Sequence, residues 1–190
     1  MTPDRPETRI LDAAKRCCER WGFAKVTIDD IALASGVSRA TLYRLFPGGK
    51  DVLFEALRVR ELTDFFDRLT AEVAGIDDVE DLIVCVVVAA TRELRADDHL
   101  AIMLGSEPGE VLSQLTVAGL PRTIRVATEY LTPLVVSHLS TRDAAVVIDV
   151  LARLTISYFL APSDTVDLGD PVSARRLVRP VLGAHALTRT

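Results

Sequence analysis

Aromatic residues are scarce in this 190-residue chain, at 5%, and there are only three cysteines, Cys17, Cys18 and Cys85. No cysteine pair has metal-ligand spacing, and adjacent residues such as Cys17 and Cys18 point to different sides of a helix, so neither a zinc site nor a disulfide staple is expected. They read as free, mostly buried thiols. Long apolar runs are also missing. Leu82–Ala90 is too short to span a bilayer, and Ala144–Ala161 carries Asp149 and Arg153, so no membrane helix is implied. Apolar residues among positions 1–25 are interleaved with charges, which is not the pattern of a secretory leader, and a cytoplasmic protein is expected. Catalytic signatures are absent too. There is no H-E-x-x-H and no nucleophile elbow, and His99, His138 and His185 are scattered. Gly49-Lys50 fails as a phosphate loop, because Asp51 stands where Ser or Thr is required and Arg44 where the leading glycine should be. Asp97-Asp98 beside His99 reads as a helix start and solvated charge rather than a metal site. No enzyme, metal or cofactor is expected.

What remains is rich in aliphatic residues. At 49% hydrophobic with no low-complexity tract, the chain can bury a substantial core as one or two domains. Its net charge of −5 argues against non-specific binding to nucleic acid. The charge is unevenly distributed, however: residues 1–60 hold 11 Lys and Arg against 8 Asp and Glu, and residues 61–190 hold 11 against 19. The basic excess therefore lies in the N-terminal third.

That third also carries a compact pattern. From Glu7 to Trp21, Ile10, Ala13, Ala14, Cys17, Cys18 and Trp21 recur at three- and four-residue steps and end at Gly22, which predicts a helix with one buried face. Thr27 is a hydroxyl N-cap with Asp30 three residues on, and Ile28, Ile31 and Ala32 share a face until Gly36 stops a helix of about two turns. Ser38 can cap a third helix, with Leu42, Leu45 and Phe46 on one side and Ala40, Thr41, Tyr43 and Arg44 on the other. Two short helices joined by so sharp a corner let the first brace the second, which can then enter a DNA major groove. Ser38 and Tyr43 can donate to phosphate oxygens, and Arg39 or Arg44 can donate to guanine through a two-pronged fork. Pro47-Gly48-Gly49 breaks the chain before Lys50, at the start of a fourth helix and within reach of backbone phosphate.

The segment Ile10–Leu57, "ILDAAKRCCERWGFAKVTIDDIALASGVSRATLYRLFPGGKDVLFEAL", resembles the N-terminal domain of the TetR family of transcriptional regulators. The shared features are the "ILDAA" helix, the G-F-x-x-x-T link, "IA-x-x-x-GVS", "TLYR-x-F" and a Lys-acid-x-Leu restart. The linker Pro47–Lys50 is one residue longer than the family's usual form. The resemblance implies an all-α fold: a three-helix helix-turn-helix DNA-binding domain over residues 1–50 and a helical ligand-binding and dimerisation domain over 51–190. It implies phosphate contacts from Thr27, Ser38, Tyr43 and Lys50, and base-edge or groove contacts from Arg39, Ala40, Thr41 and Arg44. The partners it implies are a double-stranded DNA operator, a second copy of the chain and a small effector, with no cofactor. It further implies a repressor that leaves a palindromic operator on binding the effector. An activator of the same fold, or an interaction protein that no longer binds DNA, is the alternative.

Beyond residue 50 the periodicity predicts helices over about 50–73, 79–95, 120–139, 142–160 and 171–186, separated by breaks at Gly75, "GSEPGE" and "APSD". Asp170 before Pro171 is a cap pair, and Ser140 or Thr141 before Asp143 is another. The run "LIVCVVVAA" would pass as a buried strand, but no partner strand is evident and the resemblance implies a helix. Pro133 is expected to end or kink its helix near Thr132. By the resemblance, the last two helices pair across a dimer, through Val146, Val147, Val150, Leu151 and Leu154 on one and Leu177 and Val181 on the other. An apolar effector pocket would draw on Phe65, Phe66, Leu69, Val86, Ala90, Leu94, Met103, Val126, Tyr130, Leu134 and Tyr158, with Arg92, Arg125, Glu129 or His138 as polar anchors. That mixture suits a fatty-acyl, aromatic or lipophilic drug-like compound better than a sugar or nucleotide. The helix over about 50–73 would swing to connect pocket and reading head.

Overall fold

Several helix starts in this chain are set by side chains that serve the backbone beside them. In a computed structural model, which describes residues 5–186 apart from 107 and 118 and leaves the side chains of 98, 99, 110, 114 and 184–186 outside the description, ten helices are found among the described residues and no strand. His99 and His185 thus lie outside the described side chains. The chain divides into two compact units, Met1–Thr63 and Asp64–Thr190.

The first unit holds α1 (Pro6–Trp21), α2 (Ile28–Ser35), α3 (Arg39–Leu45) and the beginning of α4 (Lys50–Glu72). Pro6 opens α1, where a missing N–H costs nothing. Thr27 and Asp30 form a full capping box on α2: the Asp30 N–H donates to the Thr27 hydroxyl at 3.2 Å, and the Asp30 carboxylate accepts from the Thr27 N–H at 2.9 Å. Ser38 caps α3, its hydroxyl accepting from the Thr41 N–H at 3.2 Å. Ile10, Ala13, Ala14, Cys17, Val26, Ile31, Leu42, Phe46, Leu53 and Phe54 form the core on which these helices meet. Burying one such Ile or Leu is worth about 1.5–3 kcal/mol relative to exposure, so each helix is held by its apolar stripe. Arg60 pairs with Asp12 at 2.8 Å, and Lys15 pairs with Glu61, tying the middle of α4 to α1.

The second unit holds the end of α4, then α5 (Val79–Ala96), α6 (Asp98–Ser106), α7 (Pro108–Leu115), α8 (Leu120–Val135), α9 (Thr141–Leu160) and α10 (Pro171–Ala186). Its core packs Leu82, Val84 and Val87 of α5 against Val147 and Leu151 of α9 and Ala174 and Val178 of α10. The 82–90 run is helical as expected, and Asp78 caps its helix through the Asp81 N–H at 2.9 Å. Ser140 rather than Thr141 caps α9, and Asp170 caps α10 through the Ser173 N–H at 2.8 Å.

Two expectations are corrected. Residues 98–106 and 108–115, left unassigned around the break "GSEPGE", form the two short helices α6 and α7; Asp97 caps the first, accepting from the Leu100 N–H at 2.9 Å. Neither helix is long enough for its period to stand out between Gly105, Pro108 and Gly109. The second concerns one half of the expectation that Pro133 ends or kinks its helix: α8 does not end at Thr132. The helix runs through it to Val135 and then tightens, with the His138 and Leu139 N–H groups both donating to the Val135 carbonyl at 2.9 Å. The Thr132 hydroxyl beside it is buried and has no hydrogen-bond partner among the described residues. Cys17 and Cys18 are buried as expected, but Cys85 is exposed on the outward stripe of α5 that includes Asp81 and Arg92.

Candidate nucleic-acid interface

The corner between α2 and α3 is built at Gly36. Its φ of +65° lets the chain reverse, so that the Gly36 N–H reaches the Leu33 carbonyl at 3.3 Å and the Val37 N–H reaches Ala32 at 3.2 Å. This pair of bonds ends α2 and turns the buried Val37 inward. Arg9 of α1 completes the corner. Its guanidinium donates to the Ser35 carbonyl at 2.9 Å and the Gly36 carbonyl at 3.2 Å, supplying positive charge to the negative end of α2. Sequence reasoning did not single out Arg9, because its partners lie 26 and 27 residues away.

The corner fixes which side of α3 is free. Leu42 is fully buried, while Ser38, Arg39, Ala40, Tyr43 and Arg44 are exposed and Thr41 is half-buried. These residues form a continuous outward face on a helix of two turns, the geometry a groove-reading helix requires. The Ser38 and Thr41 hydroxyls are 3.0 Å apart at its start. Tyr43 rests on the glycine linker: a Cβ at Gly49, where φ is +71°, would meet the Tyr43 ring at 3.3 Å. Gly48 is more constrained, since its φ is +119° and a Cβ there would lie 2.5 Å from a Val52 methyl. Only glycine fits both demands.

Besides Ser38 and Thr41, three more of the expected contact residues have partners of their own. The Thr27 hydroxyl also donates to the Asp30 carboxylate at 2.6 Å, which together with the Thr27 N–H holds the Asp30 carboxyl below the usual carboxylate range. Arg39 is held by Asp29, with Nε 3.0 Å from one carboxylate oxygen and Nη1 donating to the other at 3.3 Å. Lys50 donates to the Phe23 carbonyl at 2.8 Å and lies 4.9 Å from the Phe23 ring centre and 5.6 Å from that of Phe54. Arg44 has no hydrogen bond or ion pair among the described residues. Within the unit's core, burial and the Asp30 charge push the Cys17 thiol up, the reverse of what a reactive thiolate needs.

Residues 10–57 match the sequence pattern of bacterial regulatory proteins of the tetR family. A helix-turn-helix transcriptional regulator of Mycobacterium bovis is 31% identical over 137 residues, covering 67% of this chain and 70% of the relative. The chain belongs to the TetR family. This makes it a DNA-binding transcriptional regulator and not an enzyme. Solved TetR-family structures share its fold over nearly the whole length. The repressor AlkX from Dietzia sp., implicated in biodegradation of n-alkanes, superposes with a TM-score of 0.71 at 23% identity, covering 96% of this chain and 97% of AlkX. The fatty acid degradation regulator FadR from Bacillus halodurans gives 0.51 at 22%, covering 98% and 96%.

The second unit of this TetR-family chain brings some of its candidate pocket residues together and not others. Phe65 and Phe66 meet edge to face with ring centres 5.0 Å apart, and Phe66 stacks on Tyr130 at 5.7 Å. Burial and a hydrogen bond to Asp67 raise the Tyr130 phenol above its ordinary value. Val86, Leu134 and Tyr158 pack instead on the core shared by α5, α9 and α10. Leu69 and Met103 are buried, and Ala90, Leu94 and Val126 are half-buried. Of the polar candidates, Arg92 donates to the Gly169 carbonyl at 2.9 Å, while Arg125, Glu129 and His138 are exposed. Among the dimer candidates, Val147 and Leu151 face the unit's own core, Val146 is exposed, and Val150, Leu154, Leu177 and Val181 are half-buried.

Proposed function

We propose that the protein is a homodimeric repressor that holds a palindromic operator and releases it when a small hydrophobic effector binds its second unit. The observation that carries this reading is the exposed face of α3, on which Arg39, Ala40, Tyr43 and Arg44 stand together beside the Ser38 cap. Ser38 and Tyr43 take phosphate oxygens, and Thr27 does so once its hydroxyl hydrogen leaves the Asp30 carboxylate, while Arg39, Ala40, Thr41 and Arg44 meet base edges or groove walls. Lys50 has an ammonium proton beyond those serving Phe23 and Ala24, and that proton takes a phosphate. One helix of two turns reads only a few base pairs, so two copies spaced by about one DNA turn supply the affinity. The half-buried and exposed Val146, Val150 and Leu154 of α9, with Leu177 and Val181 of α10, form the pairing surface. Val147 and Leu151 support it from within. Repression follows from occlusion of a promoter in the cytoplasm.

The aromatic group Phe65, Phe66 and Tyr130, with Leu69 and Val126 one helical turn away on the same helices, supports an apolar effector. So do the alkane and fatty-acid connections of AlkX and FadR. The effector must prefer the conformer whose reading heads are wrongly spaced, since a ligand that binds both equally shifts nothing. A swing of α4 carries that preference to α3. Fluorescence anisotropy with DNA upstream of the protein's own gene, against scrambled DNA at two salt concentrations, tests the reading. Tight, salt-sensitive, selective binding by two protomers, relieved by long-chain alkanes or acyl compounds, is expected. Equal weak binding both to this DNA and to sequences recovered by selection from genomic fragments would overturn it.

A further inference from the structure

Arg39 occupies an unfavourable place for a cation. It is the first residue of α3, where the helix dipole presents positive charge. The chain compensates with Asp29, the second residue of α2, where that dipole favours an acid. The neighbouring acid, Asp30, is already committed to the Thr27 hydroxyl and N–H, so the two aspartates have separate duties. The ion pair is open to water, with 62% and 63% of the two side chains exposed, and a pair so exposed contributes little to stability. Its effect is on orientation. Asp29 accepts from Nη1 at 3.3 Å, with its other oxygen 3.0 Å from Nε, so that Nη2 keeps both its hydrogens beside the second Nη1 hydrogen at the tip. Two parallel donors at that tip are what the O6 and N7 atoms of guanine accept.

We propose that Asp29 is a specificity-determining residue: it orients Arg39 for a guanine edge and withholds it from phosphates. This rests on the reading of α3 as the DNA-contacting helix. A free guanidinium on a flexible stem would find the nearest phosphate of any sequence. Held by Asp29, it has already lost that freedom, and its remaining fork is directed outward. Asp29 makes no base contact itself; it acts through Arg39, at the cost of a negative charge close to the DNA.

The test begins with selection of binding sites from a random duplex library by the wild-type chain. Anisotropy follows on the best site, its single-base variants and scrambled DNA, at two salt concentrations, for wild type, Arg39→Ala, Arg39→Lys, Asp29→Asn and Asp29→Ala, with thermal melts to establish that each is folded. Arg39→Ala identifies the base position that Arg39 reads. At that position both Asp29 variants should lose about tenfold in preference for guanine, the scale of one forked contact. Their affinity for scrambled DNA should rise, and the salt slope should steepen by about one as Arg39 turns to phosphate. Arg39→Lys, which keeps the charge but not the fork, should lose the same preference with Asp29 in place. Equal tightening of both variants on operator and scrambled DNA, with base preference unchanged, would overturn the proposal and leave Asp29 as a simple repulsive charge. Selective binding by wild type in which Arg39→Ala alters no base position would also overturn it, while sparing the DNA-binding reading. Failure of the wild type to select any site would sink both.

Discussion

At the scale of single residues, the proposed function divides the outward face of α3 into groups that hold a phosphate and groups that can read a base. Tyr43 reaches outward from a ring pinned against Gly49, and its hydroxyl has one hydrogen bond to give to a phosphate oxygen. Arg44 has no hydrogen bond or ion pair among the described residues, and in the proposed reading its whole fork is available to a base edge. Tyr43→Phe should therefore weaken binding about evenly across DNA sequences, by a few-fold. Arg44→Ala should cost about 1–3 kcal/mol on the preferred site and relax preference at one base position. Anisotropy on a panel of single-base operator variants separates the two patterns. Equal loss of specificity in both variants would mean that phosphate and base contacts are assigned the wrong way round.

Among elements, the connection between α3 and α4 is the least tolerant of change. Gly48 combines a φ of +119° with a Cβ position 2.5 Å from the Val52 methyl, so Gly48→Ala adds both backbone strain and a clash. Chemical denaturation should show a loss of about 1–3 kcal/mol, and the double variant with Val52→Ala should recover only the part due to the clash. Full recovery would show that the backbone conformation itself carries no strain. The helices themselves were legible in the sequence wherever a cap sits beside the backbone it serves, as at Thr27, Ser38 and Asp170. Residues 98–115 were not, because Gly105, Pro108 and Gly109 chop the segment into pieces shorter than a readable period. Nor were the pairings of Arg9 with Ser35 and Asp29 with Arg39, which depend on how helices dock and leave no local pattern. The outward residues of α3 could be read from sequence because Leu42, Leu45 and Phe46 mark its inner side. The candidate pocket could not be read in this way, since apolar residues facing a core and those facing a ligand have the same composition.

For the molecule as a whole, acid should act on the second unit through its carboxylate clamps. Glu80 near the start of α5 accepts from Arg179 at 2.9 Å and Arg175 at 2.8 Å on α10, and these bonds hold its carboxyl below the ordinary range. Asp167 is lowered in the same direction by the Gly169 N–H and then by Arg95. A carboxyl whose folded value is depressed stabilises the fold above its unfolded value of roughly 4, and that stability is lost as pH falls through the unfolded and then the folded value. Thermal melts between pH 7 and pH 3 should show a decline beginning near pH 5, and Glu80→Gln should flatten it while lowering the melting temperature at pH 7. An unchanged acid limb in that variant would place the sensitivity elsewhere.

Arg9 sets a limit on where this protein can be cut. The stretch matching its family begins at residue 10, one position after the side chain whose guanidinium closes the α2–α3 corner. A reading head excised along that boundary, for a chimera or a minimal DNA-binding module, would leave the Ser35 and Gly36 carbonyls without their donor. The portable unit therefore begins upstream of Arg9. An exchange of reading heads between relatives should carry α1 from its first turn, even though that turn lies outside the recognisable motif.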